Sequence, residues 1–170
     1  MKLKSYNMKR LAFALFFSLC STTSFTQNIF TKNAIKHIFE GEVKTNSQGF
    51  KNASGCHHHL AIESGKVRYI KNSLVQGPNK IYKAKIEILD NQSGQWIAKK
   101  ANRGFSTFFP KEWTKETCIK EISLAYEKRK KVEGTQNEFR AFSQKGNFEI
   151  VMYLTDKLQI ISAFPKDWQR

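Results

Sequence analysis

The sequence predicts a single domain of the α+β class. Three observations lead to this prediction: a short helical pattern near residue 35, apolar and polar residues that alternate with period two farther on, and one helix that interrupts those strands. Helices segregated from antiparallel strands are typical of α+β folds, whereas parallel α/β folds alternate the two. The chain has 170 residues, which is enough for one hydrophobic core.

Residues 1–27 have the pattern of a secretory signal peptide. Four basic residues precede a short apolar run at 11–19, which is too short to span a bilayer. We therefore expect a mature domain over residues 28–170, secreted or periplasmic and without stable membrane insertion. Lipoprotein processing at Cys20 is the alternative, although Leu19 precedes it where a small residue is usual.

The mature region opens with a predicted helix at residues 31–39, because apolar residues recur on one face and Gly41 ends the pattern. The polar stretch 44–54 predicts a loop. Strands are expected from His57 onward. Their predicted positions are residues 57–62, 67–71, 82–88, 95–99 and 105–109.

A helix is predicted after Pro110, with Thr114 as its N-cap. Ile119, Ile122 and Tyr126 recur at helical spacing, basic residues 128–131 suit a helix C-terminus, and Gly134 ends the pattern. Two final strands are expected at residues 147–154 and 158–164, joined by a tight turn.

The mature chain is strongly basic. The predicted signal holds four of the 29 basic residues and none of the 14 acidic ones, which leaves a net charge of about +11. This charge favours a polyanionic partner, with nucleic acid, a membrane surface and plain solubility as open alternatives. Cys56 and Cys118 could form a disulfide or remain as two buried thiols.

All four histidines lie in two short segments, His37 in I-K-H-I-F-E-G-E and His57 to His59 in G-C-H-H-H. Because the histidine pKa is near neutrality, two histidines from different loops can act as base and acid. RNA cleavage without a metal needs such a pair and a fixed positive charge on the phosphate. His57 and His59 would share a strand face, but no acidic or thiol partner lies at ligand spacing, so no metal site is expected.

Several segments resemble EndoU-type endoribonucleases. They are H-I-F-E-G-E at 37–42, S-G-C-H at 54–57, and S-T-F-F-P at 106–110 followed by Trp113. The similarity covers nearly the whole mature chain. It implies an EndoU-like, ribonuclease A-like catalytic domain in which two antiparallel sheets flank a cleft. It also implies metal-independent cleavage of single-stranded RNA to a 2′,3′-cyclic phosphate, with no required cofactor, although manganese helps some members.

The resemblance also implies catalytic roles. His37 is expected as the general acid, His57 as the general base and Lys100 as the clamp on the phosphate. Because the spacing before the S-x-F segment is longer here than in animal members, Lys99 and Arg103 remain alternatives to Lys100.

Substrate contacts are expected from Ser106, Ser162 and Phe164. The family's hydroxyl-x-Tyr-Pro element aligns with Ser162 to Pro165, where phenylalanine keeps the ring for stacking on a base but lacks the tyrosine hydroxyl. The resemblance therefore implies a looser base preference than in uridine-specific relatives.

Bacterial relatives act as toxins that an immunity protein neutralises. We therefore expect RNA and a cognate immunity or inhibitor protein as partners of a monomer, with an RNA-scavenging nuclease as the alternative role. Two functions from other classes remain. One is an exported protein that binds RNA or another polyanion after catalytic drift, and the other is a histidine-rich metal-binding protein.

Overall fold

The computed structural model describes residues 29–168, so the predicted signal peptide lies outside the described residues. In this range the α-helices are α1 (Ala34–Phe39), α2 (Leu60–Glu63) and α3 (Lys115–Glu127). The strands are β1 (Glu42–Thr45), β2 (Lys51–Ser54), β3 (Val67–Tyr69), β4 (Val75–Gln76), β5 (Tyr82–Asp90), β6 (Gln95–Ala98), β7 (Phe105–Phe108), β8 (Lys130–Lys131), β9 (Glu138–Phe142), β10 (Glu149–Leu154) and β11 (Ile160–Pro165).

The strands form antiparallel sheets. Strands β1 and β2 make a hairpin, and a second sheet has the order β11-β10-β9-β8. The third sheet is built on β5, whose first half pairs with β4 and β7 and whose second half pairs with β3 and β6. The protein is thus a mixed α+β molecule with few helices and several antiparallel sheets, as the sequence predicted in class.

Helix α3 begins where its N-cap predicted. The Thr114 hydroxyl accepts a hydrogen bond from the backbone N–H of Thr117 at 3.2 Å, which satisfies a donor of the first turn. The helix ends earlier than expected, at Glu127. The basic residues that were predicted to end it instead include strand β8, whose Lys130 lies opposite Arg140 on β9.

Two other sequence predictions were wrong, and one strand was missed. Residues 44–54 belong to the β1–β2 hairpin rather than to a loop alone, and β9 was not predicted at all. Residues 57–62 form a loop and helix α2 instead of a strand. The cause is tertiary: the His57 N–H donates to the Ile38 carbonyl at 2.6 Å, and the His57 carbonyl accepts from the Phe109 N–H at 3.0 Å. This backbone therefore joins α1 to the residue after β7.

Two hydrophobic clusters fill the interior. One packs α1 and α3 against β10 and β11 and contains Cys118, and the other surrounds β5 and contains Cys56. Because the cysteines lie in different clusters, both are free, buried thiols. Burial raises the pKa of Cys56 to about 12, so this thiol is unreactive at neutral pH.

None of the helices described for residues 29–168 is both long enough and apolar enough to cross a membrane.

Candidate active site

The last turn of α1 and the loop after β2 place His37 and His57 side by side. The N–H of Cys56 donates to the His37 carbonyl at 2.9 Å, so the two segments are joined through their backbones. Gly55 makes this approach possible: its φ is +75°, and a Cβ there would lie 2.2 Å from the His37 carbonyl oxygen. The centroids of the two imidazole rings are 6.5 Å apart.

His37 is oriented by a carboxylate. Its Nδ1 lies 2.7 Å from Oε1 of Glu42, which also pairs with Lys44 at 2.9 Å. A carboxylate only accepts hydrogen bonds, so Nδ1 carries the proton and Nε2 is left for proton exchange. Burial lowers the His37 pKa below its ordinary value, and Glu42 partly opposes that effect by stabilising the charged ring.

His57 is more deeply buried, with 4% of the residue exposed. Its Nδ1 donates to the Thr107 carbonyl at 2.8 Å, which leaves Nε2 as a hydrogen-bond acceptor. Burial holds the pKa of His57 well below its ordinary value, and the charges of Lys99 and His37 lower it further. His57 is therefore neutral at pH 7.

The structure brings Lys99, and not Lys100, to the histidines. The Lys99 ammonium donates to Ser106 Oγ at 2.7 Å and to the Gly55 carbonyl at 3.4 Å, and the residue is 7% exposed. Burial lowers its pKa to about 8, so it remains mostly charged at neutral pH. Lys100 is exposed, and its backbone N–H donates to Asn52. Arg103 is exposed as well, in the turn that precedes β7.

Ser106 and Ser162 are both buried, at 1% and 6% exposed. The Ser106 hydroxyl accepts from Lys99 and donates to the Gly55 carbonyl at 2.9 Å, so it connects the lysine to the glycine loop. Ser162 lies opposite Tyr153 in the β10–β11 register.

Phe164 lies directly against His57. Its ring stacks on His57, with centroids 4.7 Å apart and ring planes at 20°. The Tyr153 ring is tilted by 42° against Phe164, with centroids 5.9 Å apart. A pocket of about 270 Å³ opens beside this stack. The pocket is lined by His57, Asn102, Phe105, Thr107, Glu138, Arg140, Val151, Tyr153, Phe164, Lys166 and Asp167.

His58 and His59 contact other parts of the chain. His58 donates from Nε2 to the Trp113 carbonyl at 2.8 Å and accepts at Nδ1 from Leu60, so both of its nitrogens are used structurally. His59 lies 3.5 Å from Glu63. Over residues 29–168, no three His, Cys, Asp or Glu side chains are grouped so that they could hold a metal ion.

Sequence reasoning missed two groups of residues at this site. Glu42 ends the H-I-F-E-G-E segment, so its proximity to His37 was visible, but no role was assigned to it. Arg140, Glu138 and Tyr153 line the pocket from β9 and β10. The alternation E-F-R-A at the start of β9 was a signal that could have placed Glu138 and Arg140 on one face of a strand.

Two comparisons with known proteins found a similarity. The family model described as bacterial EndoU nuclease matches residues 31–167. A Bacillus cereus protein named Toxin is 34% identical over 139 residues, which are 81% of this chain and 23% of that protein. No solved structure matches. The family match supports a nuclease function. The chain belongs to the bacterial EndoU nuclease family.

Proposed function

We propose that the protein is an exported, metal-independent endoribonuclease that cuts single-stranded RNA and leaves a 2′,3′-cyclic phosphate. The observation that carries this proposal is the convergence of two histidines in different electrostatic surroundings with one buried lysine. His37 has a carboxylate partner, His57 has a carbonyl partner, and the charge of Lys99 lowers the pKa of both rings.

The surroundings of the histidines support His57 as base and His37 as acid. A base must start neutral, and burial without a nearby carboxylate keeps His57 neutral. An acid must start charged, and Glu42 stabilises the charged form of His37 at 2.7 Å. The different partners of the two Nδ1 atoms therefore support this assignment.

In the proposed reaction, Nε2 of His57 takes the proton of the 2′-hydroxyl as its oxygen attacks the phosphorus. The bond between phosphorus and the 5′-oxygen breaks, and Nε2 of His37 gives that oxygen its proton. Protons and charge balance without a metal ion, so no cofactor is required by this route, and stimulation by manganese would be compatible with it.

Lys99 replaces Lys100 in this proposal as the phosphate clamp. A buried ammonium stabilises the growing negative charge of the transition state more than an exposed one, because less water screens it. Ser106 holds Lys99 in place rather than contacting the base, and Phe164 supplies the ring for stacking. Ser162 remains a candidate base contact, because it lies opposite Tyr153, which lines the pocket.

For the biological role, we propose an exported toxin whose substrate is RNA and whose partner is an immunity or inhibitor protein. The Bacillus cereus relative named Toxin supports this proposal. We propose that the mature chain acts as a monomer. Scavenging of extracellular RNA uses the same chemistry and remains the alternative.

The test is an assay of the purified mature chain on mixed RNA, with and without a chelator, next to the His57→Ala variant. We expect cleavage that survives the chelator, cyclic phosphate ends, and loss of both in the variant. Retardation of RNA without cleavage would instead indicate an RNA-binding protein with a drifted site. Tight zinc binding, with neither cleavage nor retardation of RNA, would favour a metal-binding protein.

A further inference from the structure

One face of the β8–β11 sheet continues from the catalytic pocket toward the edge of the sheet. Phe139 and Ala141 on β9 pack against the hydrophobic core. Successive side chains of a strand point to opposite faces, so Arg140 and Phe142 lie on the other face. Arg140 lines the pocket, and Phe142 is 61% exposed. The pocket side of this sheet therefore carries an exposed aromatic ring beside an arginine.

Lys130 lies on the same face. It is directly opposite Arg140 in the antiparallel β8–β9 register, and directly opposite residues share a face. Like charges in this arrangement destabilise a sheet. Arg140 is neutralised by Glu138, 2.6 Å away, but Lys130 makes no ion pair with any residue that the structure describes. An anion bound beside Lys130 would neutralise its uncompensated charge.

These residues are in line with the catalytic site. Phe164, Val151, Arg140 and Lys130 occupy one row across four adjacent strands. At about 4.8 Å between strands, Lys130 lies roughly 14 Å from Phe164, and Phe164 stacks on His57. A single RNA strand leaving the catalytic pocket across this sheet would pass all of them.

We propose that Lys130, Arg140 and Phe142 form a flanking subsite that holds nucleotides of single-stranded RNA next to the cut. In it the Phe142 ring stacks on a base, and Lys130 contacts a phosphate while Arg140 links the subsite to the pocket. Exposed aromatic rings combined with cations are how proteins hold single-stranded nucleic acid without reading its sequence. The inference rests on the proposed ribonuclease function.

A protein partner fits this face less well. Lysines on an edge strand discourage pairing with another strand, and one exposed ring does not provide the area that a stable protein interface needs. The net charge of about +11 predicted for the mature chain complements RNA instead. This face is also continuous with the pocket in which RNA is proposed to bind, which favours RNA as the ligand of the face.

The test compares Lys130→Gln and Phe142→Ala with two matched controls. Lys131→Gln changes the next residue of β8, on the opposite face, and Phe50→Ala removes a ring that is 63% exposed at the β1–β2 hairpin. Each variant is assayed on a dinucleotide, which reaches only the catalytic pocket, and on a single strand of roughly ten nucleotides. Far-ultraviolet circular dichroism and thermal unfolding confirm that each variant is folded.

We expect Phe142→Ala to lower kcat/KM on the longer RNA by about fivefold or more, because stacking on one base is lost. Phe142→Ala should cleave the dinucleotide as fast as the wild type. The two control variants should match the wild type on both substrates. In a His57→Ala background, Lys130→Gln should reduce the slope of log affinity against log salt by about 0.7, the value for one phosphate contact of a single strand.

The possible failures are distinct. If the wild type cuts both substrates and the two test variants match their controls, the flanking subsite is refuted and the ribonuclease proposal stands. If the wild type cuts neither, the ribonuclease proposal fails, and an unchanged salt slope in Lys130→Gln then refutes the subsite too. If Phe142→Ala changes sedimentation but not RNA affinity, the face is a self-association surface and the subsite is refuted.

Discussion

Replacing Lys99 with methionine is expected to abolish most activity and to stabilise the fold at the same time. The side chain is almost as long as lysine but carries no charge, so it removes the proposed clamp with little change in packing. Removing one preorganised donor that stabilises transition-state charge costs about 10² to 10³ in rate, or roughly 3–4 kcal/mol. We expect a loss in kcat of that size for Lys99→Met.

The stability effect follows from the pKa of Lys99, which burial lowers from 10.5 to about 8. The unfolded chain therefore holds this proton more tightly than the folded protein, and the wild type gains stability as the pH rises from 8 to 10.5. Below pH 8 the wild type carries the full cost of burying the charged Lys99. The difference between its pKa in the unfolded and the folded protein corresponds to roughly 3 kcal/mol. Lys99→Met should raise the free energy of unfolding at pH 7 by up to that amount, less the value of the lost hydrogen bond to Ser106.

The assays are RNA cleavage under steady-state conditions and urea unfolding at pH 7 and pH 10.5. Lys100→Gln is the matched control, since Lys100 is exposed and surface substitutions change stability by no more than about 0.5 kcal/mol. The stability gain of Lys99→Met should shrink at pH 10.5. Wild-type activity in Lys99→Met, or an equal loss in Lys100→Gln, would refute the assignment of the clamp.

Further predictions concern the histidines and the stacking ring. His37→Ala and His57→Ala should each lower the cleavage rate by roughly 10² to 10⁴, the usual value of positioned proton transfer, whereas His59→Ala should have little effect; an active His57→Ala would move the base elsewhere. Burial lowers the pKa of both candidate catalytic histidines, so kcat/KM should be bell-shaped with its maximum on the acid side of pH 6.5, and a rate that rises steadily to pH 9 would contradict their assignment as acid and base. Glu42→Gln should lower the His37 pKa further and move the alkaline limb to lower pH, and an unmoved limb would exclude His37 as the acid. The wild type should cut at several bases and Phe164→Tyr should narrow that preference, measured by sequencing the cleaved ends of a mixed RNA pool; uridine at nearly every wild-type cut would show that the missing hydroxyl is unimportant.

The sequence identified the α+β class and the strongest local elements. Strand β5 and helix α3 were predictable because their signals are local: alternation along one strand, and Thr114 as the cap of a helix with apolar residues on one face. The segment after Gly55 was mispredicted as a strand for the opposite reason. Its backbone hydrogen bonds go to α1 and to Phe109, and no local pattern records such distant partners.

The candidate site likewise has features that the sequence predicts and features that depend on tertiary contacts. By itself the sequence determined the family resemblance and both histidine candidates. The segments G-C-H and H-I-F-E-G-E are short and local, and they contain the residues that their own backbone needs, such as Gly55 with its positive φ. Only the tertiary structure favours Lys99 over Lys100 as the candidate phosphate clamp. Adjacent residues at a strand end point in different directions, and which one reaches Ser106 and the histidines depends on how β6 packs beside β2. It also placed Phe164 on His57 and aligned Lys130 with Arg140, since such contacts join residues that lie far apart in the chain or on separate strands.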